Sequence, residues 1–190
     1  MAAFYQESDY ENALLELFEQ HLGYEYVCGY HIDHNVKSPL YDEVLEESIF
    51  RINKGKPYDA IKNALLTLKN FENGTLVQKN AVFTDYLQNG ISARYTENGE
   101  ERSTLIYLID WENIENNSFI CANQWTFIEN SNRRPDILLF INGLPLVLIE
   151  LKSPSREDTD ASEGFRAYSF LSAYIPRLRL CLLLTVILIL

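Results

Sequence analysis

The sequence predicts an α/β or α+β class, with a central mixed β-sheet flanked by helices. Apolar residues recur at helical spacing over residues 8–22, 40–52 and 57–71, and shorter helices are predicted over 80–88 and 161–174. Between these segments lie short apolar or alternating stretches that are typical of strands. Helices around a cluster of strands in one chain indicate a sheet with helical layers.

Five stretches carry the strand prediction. "YEYVCGY" and "SFICANQWTFIE" each predict one strand, and "ISARYTENGEERSTLIYLID" predicts a hairpin that turns at Asn98 and Gly99. "DILLFINGLPLVLIELK" predicts a second hairpin that turns at Asn142 and Gly143. The C-terminal "LCLLLTVILIL" has roughly half of the ~20 residues that a bilayer-spanning helix needs. We therefore expect a buried strand there and no membrane partner.

Length and composition favour one domain. The chain has 190 residues, of which 47% are hydrophobic and 23% charged, and these values lie in the globular range. Within this domain we distinguish a mostly helical N-terminal part over residues 1–75 and an apolar tail over 177–190. The part between them, 76–176, holds the predicted sheet, the second hairpin and a helix.

Charge and cysteine content narrow the choice of partners and compartment. The formal net charge of −11 excludes a protein that holds nucleic acid by overall basicity, because phosphate binding depends on Lys and Arg. A nucleic-acid contact must be local, and Arg133 and Arg134, just before the second hairpin, are candidates for contact with DNA phosphates. Solubility or a structural ion pair is the alternative explanation. Three dispersed cysteines match no zinc spacing and favour a reducing, cytoplasmic setting.

The second hairpin carries three charged residues in an otherwise apolar run: Asp136, Glu150 and Lys152. The strand period of two puts Glu150 and Lys152 on one face. A loop with an odd number of residues places Asp136 directly across from Glu150, whereas a two-residue loop places it diagonally, and the sequence leaves both open. Two carboxylates about 4 Å apart repel by about 4 kcal/mol at an effective dielectric of 20, which a Mg²⁺ ion would offset.

Lys152 then has a role beside this metal. It can orient or help to deprotonate the attacking water and can stabilise negative charge on a phosphate. The three residues together predict metal-assisted hydrolysis of a phosphodiester. The alternative is structural, because Asp after Pro is common in turns, and a Glu and a Lys at a strand end can form a solvated edge.

Four segments resemble the N-terminal domain of the restriction subunit of type I restriction enzymes. They are "ENALLELFEQHLGYEYVCGY", "NQWTFIE", "NRRPDILLFINGLPLVLIELKSP" and "AYSFLSAYIPRL". In that family "PD…ExK" is the PD-(D/E)xK nuclease motif, which matches Pro135, Asp136, Glu150 and Lys152. The resemblance implies a restriction-endonuclease-like core in which Asp136 and Glu150 bind Mg²⁺ and Lys152 serves DNA hydrolysis. It also implies double-stranded DNA, a modification subunit and a specificity subunit as partners.

Auxiliary residues of such sites match only in part. An acidic residue on the first helix often completes them, and Glu11 is the candidate, with Glu16 behind it. The alternative for Glu11 is a surface glutamate on an amphipathic helix. Related nucleases often carry Q-x-x-x-Y on the helix after the lysine. Tyr174 is present here, but Phe170 stands where the glutamine is expected.

The resemblance also defines what this chain lacks. The full restriction subunit has an ATP-driven DNA translocase, whereas this chain contains no G-x-x-x-x-G-K-[ST] phosphate loop. We expect ATP to be required only by translocase domains of a full-length subunit, and we expect a domain fragment or a shortened gene product. The main hypothesis is a Mg²⁺-dependent DNA endonuclease domain. The alternatives are a truncated or non-catalytic docking module with the nuclease fold and a standalone nuclease similar to junction resolvases.

Overall fold

Helices occupy most of the first half of the chain. The structure is a computed structural model that describes residues 7–70, 75–128, 132–152 and 184–189. Four α-helices lie within these ranges: α1 (Glu7–Glu16), α2 (Asp42–Ile52), α3 (Tyr58–Lys69) and α4 (Leu76–Asn89). α1 continues into a π-helical turn at Leu17–His21, which confirms the predicted first helix. α4 begins earlier than predicted, because Thr75 and Gln78 form a capping box at its start. The helix predicted over 161–174 lies outside the described residues.

Nine strands lie within the same ranges. They are β1 (Glu25–Cys28), β2 (Ile91–Glu97), β3 (Glu100–Ile106), β4 (Phe119–Asn123), β5 (Phe127–Ile128), β6 (Asn132–Arg133), β7 (Ile137–Ile141), β8 (Leu144–Lys152) and β9 (Leu184–Ile189). Both predicted hairpins are confirmed, as β2–β3 and β7–β8. The prediction of one strand over "SFICANQWTFIE" is wrong, because the chain turns at Gln124, which has a φ of 53°, and separates β4 from β5.

Five of these strands form a mixed sheet in the order β1-β4-β7-β8-β9. β1 is parallel to β4, β7 is antiparallel to both of its neighbours, and β9 is parallel to β8. The apolar C-terminal tail thus contributes a strand, as expected. This topology brings the last residues of β1, β4 and β8 and the first residue of β7 to one end of the sheet, which we call the site end.

Both faces of the sheet are covered. On one face Leu15 of α1 packs with alternate residues of three strands: Cys121, Ile137, Leu139, Ile149 and Leu151. On the other face Tyr41 and Trp125 pack with the intervening residues: Ile120, Ala122, Leu138, Phe140 and Leu148. β7 and β8 are therefore buried on two sides, which explains why their sequences are almost continuously apolar.

A further cluster joins α2, α3 and α4 to the β2–β3 hairpin. It includes Leu45, Leu65, Phe83 and Ile106, and it reaches the main sheet at Leu144, the first residue of β8. Within the described ranges, no helix combines the length and apolarity that crossing a bilayer would require.

Candidate active site

The turn of the β7–β8 hairpin is seated against the start of α2. Asn142 and Gly143 have φ values of 50° and 77°, the left-handed conformations that a two-residue type I′ turn requires. The backbone N–H of Tyr41 donates to the carbonyl oxygen of Gly143 at 2.9 Å. A Cβ atom on Gly143 would lie 2.5 Å from the backbone nitrogen of Leu45. The turn therefore leaves no room for a side chain at position 143.

The register of this hairpin brings its two carboxylates into opposition. Next to the turn Phe140 pairs with Pro145, but Leu139 pairs with Val147, so that Leu146 is an extra residue in β8. This β-bulge shifts all later pairs by one, and the last of them is Ile137 with Ile149. The next positions along the two strands are 136 and 150.

The sequence leaves open whether Asp136 lies directly or diagonally across from Glu150, and the bulge favours the direct alignment. The loop has two residues, which alone would place Asp136 diagonally from Glu150. The extra residue in β8 restores the direct opposition. Glu150 lies between Ile149 and Leu151, both of which pack towards α1, so its side chain lies on the other face of the sheet. Directly opposed residues of antiparallel strands have Cβ atoms about 5 Å apart.

Asp136 is held at the site end by the backbone of β8. Its Oδ2 atom accepts a hydrogen bond from the backbone N–H of Leu151 at 2.6 Å. β8 continues to Lys152, past its last partner in β7, so the Asp136 carboxylate takes the place of a further β7 residue. The side chain is half-buried. A short hydrogen bond to a carboxylate is stronger than one between neutral groups, so this contact fixes the orientation of Asp136.

The other residues predicted around this pair are described to different extents. Lys152 is the last residue of β8, and its backbone pairs with Ile189 of β9. β8 therefore extends to Lys152, as the prediction of Glu150 and Lys152 on one strand requires. The Lys152 side chain lies outside the described part of the structure. Arg133 pairs with Phe127 in the β5–β6 ladder, and its side chain is likewise not described. Arg134 is exposed and forms no ion pair with any described residue. Tyr174 lies outside the described residues.

Glu11 makes a hydrogen bond at the site end. Its Oε1 atom accepts from the side-chain amide of Asn123 at 2.8 Å, and the Asn123 Oδ1 atom accepts from the Tyr26 hydroxyl at 3.0 Å. Desolvation by burial, with a further contribution from Cys28, raises the pKa of Tyr26, so the hydroxyl stays protonated and can donate. Glu16 is exposed. Glu11 is therefore fixed to the end of β4, while its auxiliary role stays a prediction.

Comparison with known proteins identifies the family. The family described as "Type I restriction enzyme R protein N terminus" matches residues 4–183. This chain belongs to that family. It is 32% identical over 172 residues to the type I restriction enzyme HindI endonuclease subunit of Haemophilus influenzae, covering 85% of this chain and 16% of the relative. It is also 32% identical over 178 residues to the putative type I restriction enzyme MjaIXP endonuclease subunit of Methanocaldococcus jannaschii, covering 88% and 17%. The chain thus spans about one sixth of the length of these relatives.

The central carboxylate pair of this type I R-protein N-terminal domain fits a magnesium ion by its donor chemistry. Within the described ranges, no group of three or more His, Cys, Asp or Glu side chains is placed to hold a metal. Mg²⁺ in proteins commonly uses one or two carboxylates and takes its remaining ligands from water and substrate phosphate. Asp136 and Glu150 therefore fit an ion shared with a substrate and do not fit a closed structural site.

Three residues of this domain were not singled out from the sequence. Asn123 and Tyr26 connect Glu11 to the ends of β4 and β1, and Gln124 follows in a left-handed conformation. Polar residues at the end of an otherwise apolar strand, as in "FICANQ", are the signal that could have indicated the first of them. No local sequence pattern marks the conformation of Gln124.

Proposed function

We propose that this R-protein N-terminal domain is a Mg²⁺-dependent DNA endonuclease domain of a type I restriction-modification system. The observation that supports the proposal is the bulged register of β7–β8, whose last pair, Ile137 with Ile149, is followed by Asp136 on one strand and Glu150 on the other. One or two carboxylates are the usual protein ligands of Mg²⁺, which takes its remaining ligands from water and substrate phosphate.

Each residue of the site then has a proposed role. Asp136 and Glu150 hold Mg²⁺, and the Leu151 N–H keeps the Asp136 carboxylate in position. When bound, Mg²⁺ supplies positive charge to the phosphate and makes a water molecule more acidic. Lys152 orients the attacking water or assists its deprotonation, and it stabilises the charge that develops on the phosphate. Arg133 and Arg134, just before β7, contact DNA phosphates. Their positive charge locally offsets the repulsion between DNA and the net negative charge of the chain.

The names of the relatives support a proposal about the wider setting. Both long matches are named endonuclease subunits of type I restriction enzymes. We therefore place the domain in a complex with modification and specificity subunits, and we assign ATP use to translocase domains of a full-length subunit. Glu11 and Tyr174 are proposed as auxiliary residues. The two described cysteines, Cys28 and Cys121, are free, which supports a reducing, cytoplasmic setting.

Nicking of supercoiled plasmid in Mg²⁺ tests the proposal. The informative variants are Asp136→Asn and Glu150→Gln, since Asn retains an oxygen that can accept the Leu151 N–H while it removes the charge. We expect each to lose about 100-fold or more in rate. The control is Glu101→Gln, an exposed carboxylate on β3. Equal nicking by the wild type and both site variants would refute the proposal.

Calorimetric titration with Mn²⁺ separates this function from the alternative. A nuclease site binds the ion in the wild type and loses it in Glu150→Gln. A wild type that binds no divalent ion would indicate a docking module that keeps the nuclease fold without turnover.

A further inference from the structure

Gln124 has an unusual backbone conformation directly beside the proposed site. Among the described residues, three other than glycine have a positive φ: Asn98, Gln124 and Asn142. The two asparagines occupy Asn-Gly hairpin turns, where this conformation is expected and where asparagine is favoured. Gln124, with a φ of 53°, is neither an asparagine nor part of a hairpin turn. A glutamine held in this region indicates that the surroundings impose the conformation.

The neighbouring contacts show what imposes it. Trp125 is completely buried and packs against His34, Tyr41 and Phe140, which fixes the chain directly after Gln124. Gly29, directly after β1, lies so close that a Cβ atom there would be 2.6 Å from the Trp125 Cα and 2.9 Å from the Gln124 carbonyl oxygen. The peptide between Gln124 and Trp125 is therefore clamped between the core and the loop after β1.

The end of β4 brings this clamped residue to the same end of the sheet as the carboxylate pair. β4 and β7 pair up to Ala122 with Leu138, and β4 ends one residue later, so Gln124 directly follows the paired part of the strand. β7 and β8 pair through Ile137 with Ile149, which continues to Asp136 opposite Glu150. Gln124 directly follows β4, Asp136 directly precedes β7 and Glu150 lies near the end of β8, so all three lie at the site end of adjacent strands.

Within the described residues, the Gln124 side chain has no hydrogen-bond partner. It is half-buried. By contrast, the preceding residue, Asn123, uses its amide for Glu11 and Tyr26. If the left-handed turn served only to direct Trp125 into the core, glycine or asparagine would provide it at a lower conformational cost.

We propose that Gln124 is a substrate-binding residue whose side-chain amide donates a hydrogen bond to a phosphate oxygen of the DNA strand positioned at the Asp136–Glu150 pair. This inference rests on the proposed function and assigns a contact to the substrate backbone. An amide is suited to this position because it is a neutral donor. A carboxylate there would repel the phosphate, and a lysine would be drawn to the two acids.

Two substitutions separate this contact from a structural role. Gln124→Gly removes the amide but suits a positive φ, so we expect a melting temperature equal to or above that of the wild type. Gln124→Ala removes the amide and retains the conformational strain. We expect both variants to lose about tenfold to hundredfold in kcat/KM for plasmid nicking, the usual effect of losing a hydrogen bond to a charged group. Gln124→Glu should lose more than Gln124→Ala. The matched control is Gln88→Ala, an exposed glutamine of α4, which should nick as the wild type does.

The outcomes distinguish this inference from the proposed function. Wild-type nicking by Gln124→Gly and Gln124→Ala, with Asp136→Asn inactive, would overturn the inference and leave the proposed function standing. If Asp136→Asn nicks normally or the wild type does not nick, the proposed function fails and nicking no longer tests the Gln124 contact. Fluorescence anisotropy of a short labelled DNA duplex, measured with Ca²⁺ in place of Mg²⁺, then tests this contact directly. A loss of affinity in both Gln124 variants supports the contact. Unchanged affinity, or no duplex binding by the wild type, overturns it. A drop in the melting temperature of Gln124→Gly would indicate a structural role and would also overturn it.

Discussion

Replacing Gly143 by alanine tests how the hairpin that carries Asp136 and Glu150 is fixed to the rest of the domain. Two Asn-Gly hairpins of the chain offer a matched comparison. Gly99 in the β2–β3 turn and Gly143 in the β7–β8 turn have φ values of 82° and 77°. They differ in their surroundings: a Cβ atom on Gly99 would meet nothing within 4 Å, whereas one on Gly143 would meet three backbone atoms of Tyr41 and Leu45.

The expected magnitudes follow from this difference. An alanine in the left-handed region costs about 1–2 kcal/mol at either position. At Gly143 the Cβ atom would in addition lie 2.5 Å from the Leu45 nitrogen and 2.6 Å from the Tyr41 oxygen, and these backbone atoms cannot rotate away. Overpacking of this kind costs about 1–3 kcal/mol. We expect Gly99→Ala to lower the free energy of unfolding by about 1–2 kcal/mol and Gly143→Ala to lower it by about 2–5 kcal/mol.

Urea denaturation followed by tryptophan fluorescence measures both variants, because Trp125 is completely buried and reports on the sheet. Gly143→Ala should also weaken Mn²⁺ binding, since the turn must move away from α2 and take Asp136 and Glu150 with it. Gly99→Ala should bind the ion as the wild type does. Equal destabilisation by the two substitutions would refute the claim that the close approach to α2, and not the turn conformation alone, fixes this hairpin.

Two further predictions concern titratable groups away from the pair. Desolvation by burial raises the pKa of the Cys121 thiol to about 11, so at mildly alkaline pH alkylation of native protein should modify Cys28 much faster than Cys121. Mass spectrometry of the separated peptides measures this, and equal labelling would contradict the burial. The pKa of Asp110 is lowered, chiefly because the backbone N–H of Asn113 donates to its carboxylate. Below the ordinary pKa of 3.8, Asp110 therefore binds a proton more readily in the unfolded state than in the folded state. Its contribution to the free energy of unfolding is lost as the pH falls from this value through the lower pKa of the folded state. Asp110→Asn should reduce the decline of the urea midpoint between about pH 5 and about pH 3, and an unchanged decline would contradict the contribution of Asp110.

The sequence predicts the hairpin with the carboxylates well, for identifiable reasons. Asn142 and Gly143 supply the two positive φ values of a type I′ turn, and the long apolar runs on both sides indicate strands with two buried faces. The strand period then relates Glu150 to its neighbours without further information. These features are local, and local patterns are what a sequence displays most directly.

The register was harder to predict, although the sequence held a signal for it. Pro145 has no backbone N–H to give to the ladder, and inside a sheet proline is confined to strand ends, edges and bulges. Its place as the second residue of β8 therefore indicates an irregularity next to the turn. The bulge at Leu146 follows it and sets Asp136 opposite Glu150. The number of loop residues alone leads to the wrong alignment.

The surroundings of the pair could not be predicted because they depend on tertiary contacts. The hydrogen bond from Asn123 to Glu11 joins residues 112 positions apart in the chain. The left-handed Gln124 lies between Trp125, which is buried in the core, and Gly29, which directly follows β1. Such long-range causes leave no periodic mark in the sequence, and the resulting break after β4 made the prediction of a single strand there wrong.

The most direct test of the central claim, that Asp136 and Glu150 share one divalent cation, is an anomalous difference map from a crystal soaked in Mn²⁺. We expect a single strong peak at the site end, at a coordination distance of about 2–2.5 Å from one carboxylate oxygen of each residue. The peak should vanish in crystals of Glu150→Gln. A peak bound to only one of the two carboxylates, or no peak at this end of the sheet, would contradict the claim.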